Sequence, residues 1–157
     1  RIWQNAMNLI IQSAVYLTYE VVPVMRRQGG GSILANTSVT VRHPLDGLTL
    51  SNSLRPAVIG MVKSLSIELG PDNIRINAIA PGWTHTERVD EILRARSEQN
   101  VTTPDEEAAS ITQDVPLRRM ASTEEFGRVA AFLLSPMASY IHGVTLLVDG
   151  GMARAVL

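Results

Sequence analysis

Hydroxyl, imidazole and guanidinium groups gather in one stretch, Asn36 to Gly60 (NTSVTVRHPLDGLTLSNSLRPAVIG), where an apolar strand end runs through a polar loop into an amphipathic helix. Its candidates are Ser38, His43, Ser51 and Arg55. Such groups suit hydrogen bonding to the oxygen atoms of a bound molecule. They do not suit acid catalysis by serine: an aliphatic hydroxyl lies far above even a phenol's pKa of about 10, and one cation does not close that gap. Arg55, with a pKa above about 12, keeps its charge and relays no proton. His43, and His85 further on, could approach a site, but histidine titrates near neutrality in any surface loop. A second candidate stretch is Pro81-Gly82-Trp83-Thr84-His85-Thr86, which follows an apolar run at the carboxyl edge where parallel sheets bind ligands. Proline and glycine also punctuate strands for backbone reasons alone.

These groups need elements to hold them. Ser32 to Ala35, an apolar run bounded by glycines and Asn36, predicts a buried strand of a parallel sheet whose carboxyl end delivers Asn36, Thr37 and Ser38. Pro44, Asp46 and Gly47 make Thr40 to Leu50 a loop. A helix follows from about Ser53 to Leu69, with Leu54, Val58, Met61, Val62, Leu65 and Leu69 on one face. Ser53 is its expected cap, because Pro56 is acceptable only in a first turn. After the turn Gly70 to Asn73, Ile74 to Ile79 is a second strand, giving one parallel strand–helix–strand unit.

Upstream, Ile2 to Arg27 predicts one long helix ended by Gly29 to Gly31, with Pro23 kinking or shortening its last turns. Downstream, Pro81 to Pro104 turns irregular and charged, with short helices around Arg88 to Arg96 and Pro104 to Thr112. A stretch of that kind between core elements reads as a lid or substrate loop. Ser122-Thr123-Glu124-Glu125 starts a helix that runs to about Leu134, and Thr145 to Val148 is the last strand.

The bulk numbers set limits. The 157 residues, 45% apolar, fit a single domain over 1–157 with a sizeable core. A net charge of −1 from 14 basic and 15 acidic residues argues against a nucleic-acid or membrane-surface partner and for a neutral small molecule. The absence of cysteine excludes disulfides, thiolate metal sites and a cysteine nucleophile, and no metal is expected. Apolar runs such as Val129 to Leu134 fall short of the ~20 residues that span a bilayer, so a cytoplasmic protein without a membrane segment is expected. Arg1 to Ile10 opens directly into an amphipathic pattern with no signal segment, more like a cut than a beginning.

Several separated stretches, in order and spacing, resemble the short-chain dehydrogenase/reductase family: Trp3, PVMRRQGGGSIL, AVIGMVKSLSIELGPDNIRINAIAPGWTHT, RRMASTEEFGRVAAFLLSPMASYIHG and the closing VDGGM. The resemblance runs from Trp3 to Met152 and leans toward 3-oxoacyl-carrier-protein reductases. It implies a Rossmann-like, doubly wound parallel α/β fold, NAD or NADP as cofactor, and a carbonyl or alcohol substrate. It also implies a homodimer or homotetramer built on the helices Ile2 to Arg27 and Ser53 to Leu69. The family carries a Ser, twelve residues, a Tyr, three residues and a Lys. Counting back from Ala57 to Gly60 puts Arg55 at the Lys, Ser51 at the Tyr and Ser38 at the Ser, while Ile10 stands at the position of the family's helix Asn.

Ser38, Ser51 and Arg55 are thus the implied catalytic residues. Arg55 with Pro81, Gly82, Trp83, Thr84 and Thr86 forms the implied cofactor side. The family's glycine-rich phosphate turn has no counterpart here, since Gly29 to Gly31 precedes a strand. The chain is therefore expected to be the C-terminal part of a longer protein, without the phosphate-binding half. Two functions follow: an NAD(P)-binding oxidoreductase with an altered proton route through Ser38, with Ser51 or His43 and water, while Arg55 holds the cofactor, or a binding or scaffold protein that kept the fold and lost the catalysis.

Overall fold

A three-stranded parallel sheet in the order β1 (Gly31–Asn36), β2 (Ile74–Pro81) and β3 (Thr145–Val148) is the scaffold of the computed structural model, which describes residues 1–154. Gly31 to Asn36 pair with Ile74 to Ile79, and Ala78 to Pro81 pair with Thr145 to Val148. β2 is apolar almost throughout because it is central and covered on both faces. On one face lie α2 (Ser13–Gln28) and α3 (Thr49–Leu69), where Val58 and Val62 meet Ile76 and Ala78 over Ile33 and Ala35. Burying each of these larger side chains contributes about 1.5–3 kcal/mol. On the other face lies α6 (Thr123–Leu134), whose terminal carbonyls take hydrogen bonds from Arg75 of β2: Nη1 to Leu133 O at 2.9 Å and Nη2 to Ser135 O at 3.0 Å. Helices on both faces make this a doubly wound, Rossmann-like α/β arrangement. Among the described residues no helix is long and apolar enough to cross a membrane.

Three element boundaries differ from the sequence expectation. The first helix is α1 (Ile2–Met7), a π-helical turn (Asn8–Gln12) and then α2, and Pro23 neither kinks it to an end nor shortens it. Pro23 is on the outer side, so the carbonyl it leaves without a donor faces water, and the helix stops instead at Gly29 in the left-handed region (φ 81°). α3 begins at Thr49, so Ser53 is not its cap and Pro56 lies beyond the first turn. The extra turn is held from outside: Asn52 Nδ2 donates to Leu45 O at 2.9 Å, and Asn52 Oδ1 accepts from Leu45 N at 3.3 Å. The segment after β2 is more regular than expected, with α4 (Glu87–Asn100) and α5 (Pro104–Thr112) forming a helical hairpin.

α6 starts on a capping box, Ser122 Oγ accepting from Glu125 N while the Glu125 carboxylate accepts from Ser122 N. The Arg119 guanidinium adds two bonds of 2.7 Å, and these, with the Ser122 N–H, pull the Glu125 carboxyl from 4.5 to about 2. A depressed carboxylate contributes stability that is fully present above the ordinary range and is lost as pH falls through the folded value. A carboxyl NMR titration should therefore place the Glu125 midpoint near 2; a midpoint near 4.5 means that the box and the Arg119 pair do not persist in solution.

Candidate functional site

β1 ends at Asn36, and the chain is at once clamped to β2: Thr37 donates to Ile79 O through both its N–H (2.8 Å) and its Oγ1 (3.0 Å). This fixes Ser38, which adopts an extended conformation and caps a 3-10 turn (Val39–Val41) by accepting from Thr40 N at 3.3 Å. The turn aims the buried Thr40 hydroxyl back at α3, where its Oγ1 lies 2.9 Å from Ser51 Oγ. One helical turn on, Arg55 Nε donates to the same Ser51 Oγ at 3.1 Å, and its Nη1 reaches Thr37 O at 3.0 Å. The three residues singled out in the sequence, Ser38, Ser51 and Arg55, thus sit in one network. Thr37 and Thr40, which the sequence did not single out, connect them. Burial lowers the Arg55 pKa from its ordinary value, and the group remains a cation.

The second stretch forms a wall beside this network. Gly82 N donates to Val148 O at 2.9 Å, and Trp83 and His85 pair with Ala121, so the turn is stitched to β3 and to the segment before α6. Pro81, Gly82 and Trp83 are shared by two cavities. One, of about 100 Å³, is lined also by Ser38, Val39 and Leu45. The other, of about 350 Å³, is lined also by Asn36, Thr84, Thr86, Val89 and Phe126. Asn36 further borders a cleft of about 340 Å³ that contains Arg55 and Thr37, so it is the corner at which the two halves of the site meet. Among the described residues, the buried Thr84 Oγ1 has no hydrogen-bond partner. Thr86 caps α4, its Oγ1 accepting from Val89 N, which leaves its hydroxyl proton and one lone pair to offer.

The histidines stand apart. His85 is exposed and pairs with Asp90 at 3.0 Å, and neither it nor His43 lines these cavities. His142 is structural: Nδ1 accepts from Ile76 N, which makes Nε2 the donor to Ser66 O. Ile10 borders the cleft with Arg55, whereas Asn8 is exposed and accepts from Gln4. Asn36 was legible in sequence as a strand end. Thr40 was not, because its role depends on the Val39–Val41 turn, nor was Phe126, brought in by a helix that starts far along the chain.

Comparison with known proteins gives consistent matches. The family model described as Enoyl-(Acyl carrier protein) reductase matches residues 1–153. Dehydrogenase/reductase SDR family member 4 of Sus scrofa is 34% identical over 155 residues, covering 97% of this chain and 51% of that protein. The 7alpha-hydroxysteroid dehydrogenase of Escherichia coli K12 is 32% identical over 149 residues, covering 95% and 54%. Among solved structures, L-sorbose reductase from Gluconobacter frateurii, complexed with NADPH and L-sorbose, superposes with a TM-score of 0.93 at 33% identity, covering 98% of this chain and 59% of that one. The chain spans about half the length of the curated relatives it matches.

Proposed function

The chain belongs to the short-chain dehydrogenase/reductase family, and on that premise we propose that it is an NAD(P)-dependent oxidoreductase of a small-molecule carbonyl or alcohol. The observation that carries the proposal is a cavity at the carboxyl end of β2, walled by Thr84 with its unpartnered hydroxyl, that shares Asn36 with the cleft holding Arg55 and its uncommitted N–H groups. A nicotinamide carboxamide and its ribose are groups that would satisfy them. When bound, the nicotinamide supplies or accepts a hydride.

The chain's own residues bind and orient. Ser38 Oγ already accepts from Thr40 N, which leaves its O–H free to donate to a carbonyl oxygen. Arg55 engages Ser51 and Thr37 with Nε and one Nη1 hydrogen, and its remaining N–H groups are the donors for ribose oxygens. Within this reading Ser51 and Arg55 occupy the positions of the family's Tyr and Lys, an S-x-x-x-R in place of Y-x-x-x-K. Ser51 is too weak an acid to deliver a proton, so the proton comes from water hydrogen-bonded at Ser38 and Ser51. A 3-oxoacyl thioester heads the substrates to test, on the strength of the sequence resemblance. A ketose comes second, on the likeness to a sorbose reductase. The apolar groove between α2 and α3, where Val15 and Tyr19 stay exposed, supports the expected homodimer or homotetramer.

Titration with NADH and with NADPH, followed by nicotinamide fluorescence, tests the proposal. Enhanced emission is expected with one of the two, and Thr84→Val should weaken binding by about three- to tenfold, the worth of one hydrogen bond. Turnover is then assayed with both substrates, and Ser38→Ala should abolish it. Failure of both nucleotides to bind sinks the proposal; binding without turnover assigns the chain the non-enzymatic role.

A further inference from the structure

Thr40 touches both serines of the site, Ser38 through its backbone and Ser51 through its side chain. Its N–H donates to Ser38 Oγ at 3.3 Å, a bond that most side chains at this position would leave in place. Its Oγ1 lies 2.9 Å from Ser51 Oγ, a pair of hydroxyls in which chemistry alone lets either give the proton. Burial decides the direction. Thr40 is 2% exposed, and among the described residues Ser51 is the one partner of its hydroxyl. A Thr40 proton directed anywhere else would be buried without an acceptor, a cost that native folds seldom carry. Thr40 therefore donates and Ser51 accepts.

That bond leaves Ser51 with nothing more to accept. A serine hydroxyl has two lone pairs and one proton. One lone pair takes Arg55 Nε–H at 3.1 Å, where the guanidinium can only donate, and the other takes the Thr40 proton. Ser51 O–H itself has no acceptor among the described residues, and Ser51 is only partly buried, so the proton is what it can offer to a bound molecule. The arrangement is held firmly. Arg42 N and His43 N both donate to Val39 O at 2.9 Å, and the buried Val39 is seated against Val115 and Met152. On such a backbone the β-branched Thr40 has few χ1 choices.

We propose that Thr40 is a positioning residue: its hydroxyl fills the last acceptor position of Ser51 and so fixes Ser51 as a donor to the bound substrate or to a water bridging to it. Ser51 and Arg55 then present protons and no free lone pair, and no carboxylate bonds to either. A carbonyl oxygen, which only accepts, matches this pair. An alcohol also brings a proton for which neither residue has a lone pair, so the chain holds the carbonyl member of a carbonyl–alcohol pair the more tightly. That the acceptor is a substrate carbonyl rests on the oxidoreductase reading; the direction of the bonds inside the protein does not.

The proton's direction is read by NMR without any ligand. In an equal mixture of light and heavy water, a slowly exchanging hydroxyl doubles the carbon signal of its own Cβ, whereas a rapidly exchanging one leaves it single. On the 157-residue chain a doubled Thr40 Cβ and a single Ser51 Cβ are expected. A single Thr40 Cβ overturns the assignment, and so does a doubled Ser51 Cβ, because the Ser51 proton is then held inside the protein. Turnover tests the consequence, with whichever of the 3-oxoacyl thioester and the ketose the unaltered chain reduces. Thr40→Val, which keeps the shape and removes the proton, should lower kcat/KM about tenfold, the worth of one hydrogen bond, while nucleotide affinity stays within about twofold. Its preference for the carbonyl over the product alcohol, read as a competitive inhibitor, should narrow about threefold, and Thr40→Ser should restore both. Equal losses for carbonyl and alcohol assign Thr40 a structural role and overturn the positioning. If the unaltered chain reduces neither substrate, the oxidoreductase reading fails while the isotope pattern still decides Thr40; if the valine variant does not fold, that pattern and the serine variant decide.

Discussion

Gly82→Ala is expected to destabilise the chain by about 3 kcal/mol, at the upper end of the range for an overpacked site. A Cβ at Gly82 would stand 2.8 Å from Asp149 Cα and 2.9 Å from Asp149 Cβ. Relief would require moving backbone, not a flexible side-chain tip. Asp149 is poorly able to yield, because its carboxylate accepts from Gly151 N at 2.9 Å and from Ala153 N at 2.8 Å while Gly82 N is bonded to Val148 O. The added methyl therefore pries apart the carboxyl ends of β2 and β3, and Pro81, Gly82 and Trp83 at the end of β2 line both cavities. Urea unfolding checks the stability loss, and nucleotide titration of the variant should show weakened or absent binding. A loss below about 0.5 kcal/mol would mean that the two strand ends are less closely packed than described.

Asn77→Leu is expected to cost about 3 kcal/mol with little effect on the local geometry of the site. Asn77 is 1% exposed in the middle of β2, and its side chain does the work of a missing strand: Nδ2 donates to Ile141 O at 2.9 Å and Oδ1 accepts from Val144 N at 3.1 Å. These bonds fix the chain's entry into β3. Leucine is similar in volume but leaves both backbone groups without that partner, each at a cost of about 1–3 kcal/mol when buried. The total falls short of the upper sum because Arg75 Nη1 still lies 3.4 Å from Ile141 O and Val144 is partly open to water. The loss should appear as a lower urea midpoint with an unchanged slope. A loss below 1 kcal/mol would show that water or Arg75 replaces the amide entirely.

The two largest effects fall on residues whose importance the sequence showed unequally. Gly82 stood in a quoted turn, but its reason, the approach of Asp149, depends on β3 lying beside β2. Asn77 gave no signal within an apolar run, because its partners lie more than sixty residues away. The parallel sheet, α3 and α6 were legible because apolar spacing and the Ser122–Glu125 cap are local properties of the chain. The start of α3 was misjudged because Asn52 takes its support from Leu45, a loop residue that carries no helix signal. At the site, the residue types were legible and the wiring was not. Ser38, Ser51 and Arg55 were visible, whereas Thr40, which joins two of them, acquires its role only from the fold.

The bonding of the hairpin α4–α5 bears on how such a chain can diversify: among the described residues, every hydrogen bond and ion pair made by residues 87–112 ends on a residue between 85 and 115. Because these residues keep their hydrogen bonds to themselves, replacing or lengthening the segment between the stems Thr86 and Val115 leaves the sheet's bonding network whole. Most of the constraint on a substitute is that it start and end at the same two stems and present an apolar side chain where Val89 now sits. The part of the molecule that shapes the outer wall of the cavity is therefore open to wholesale exchange, while Thr84, just after β2, and Arg55, on α3, keep their places.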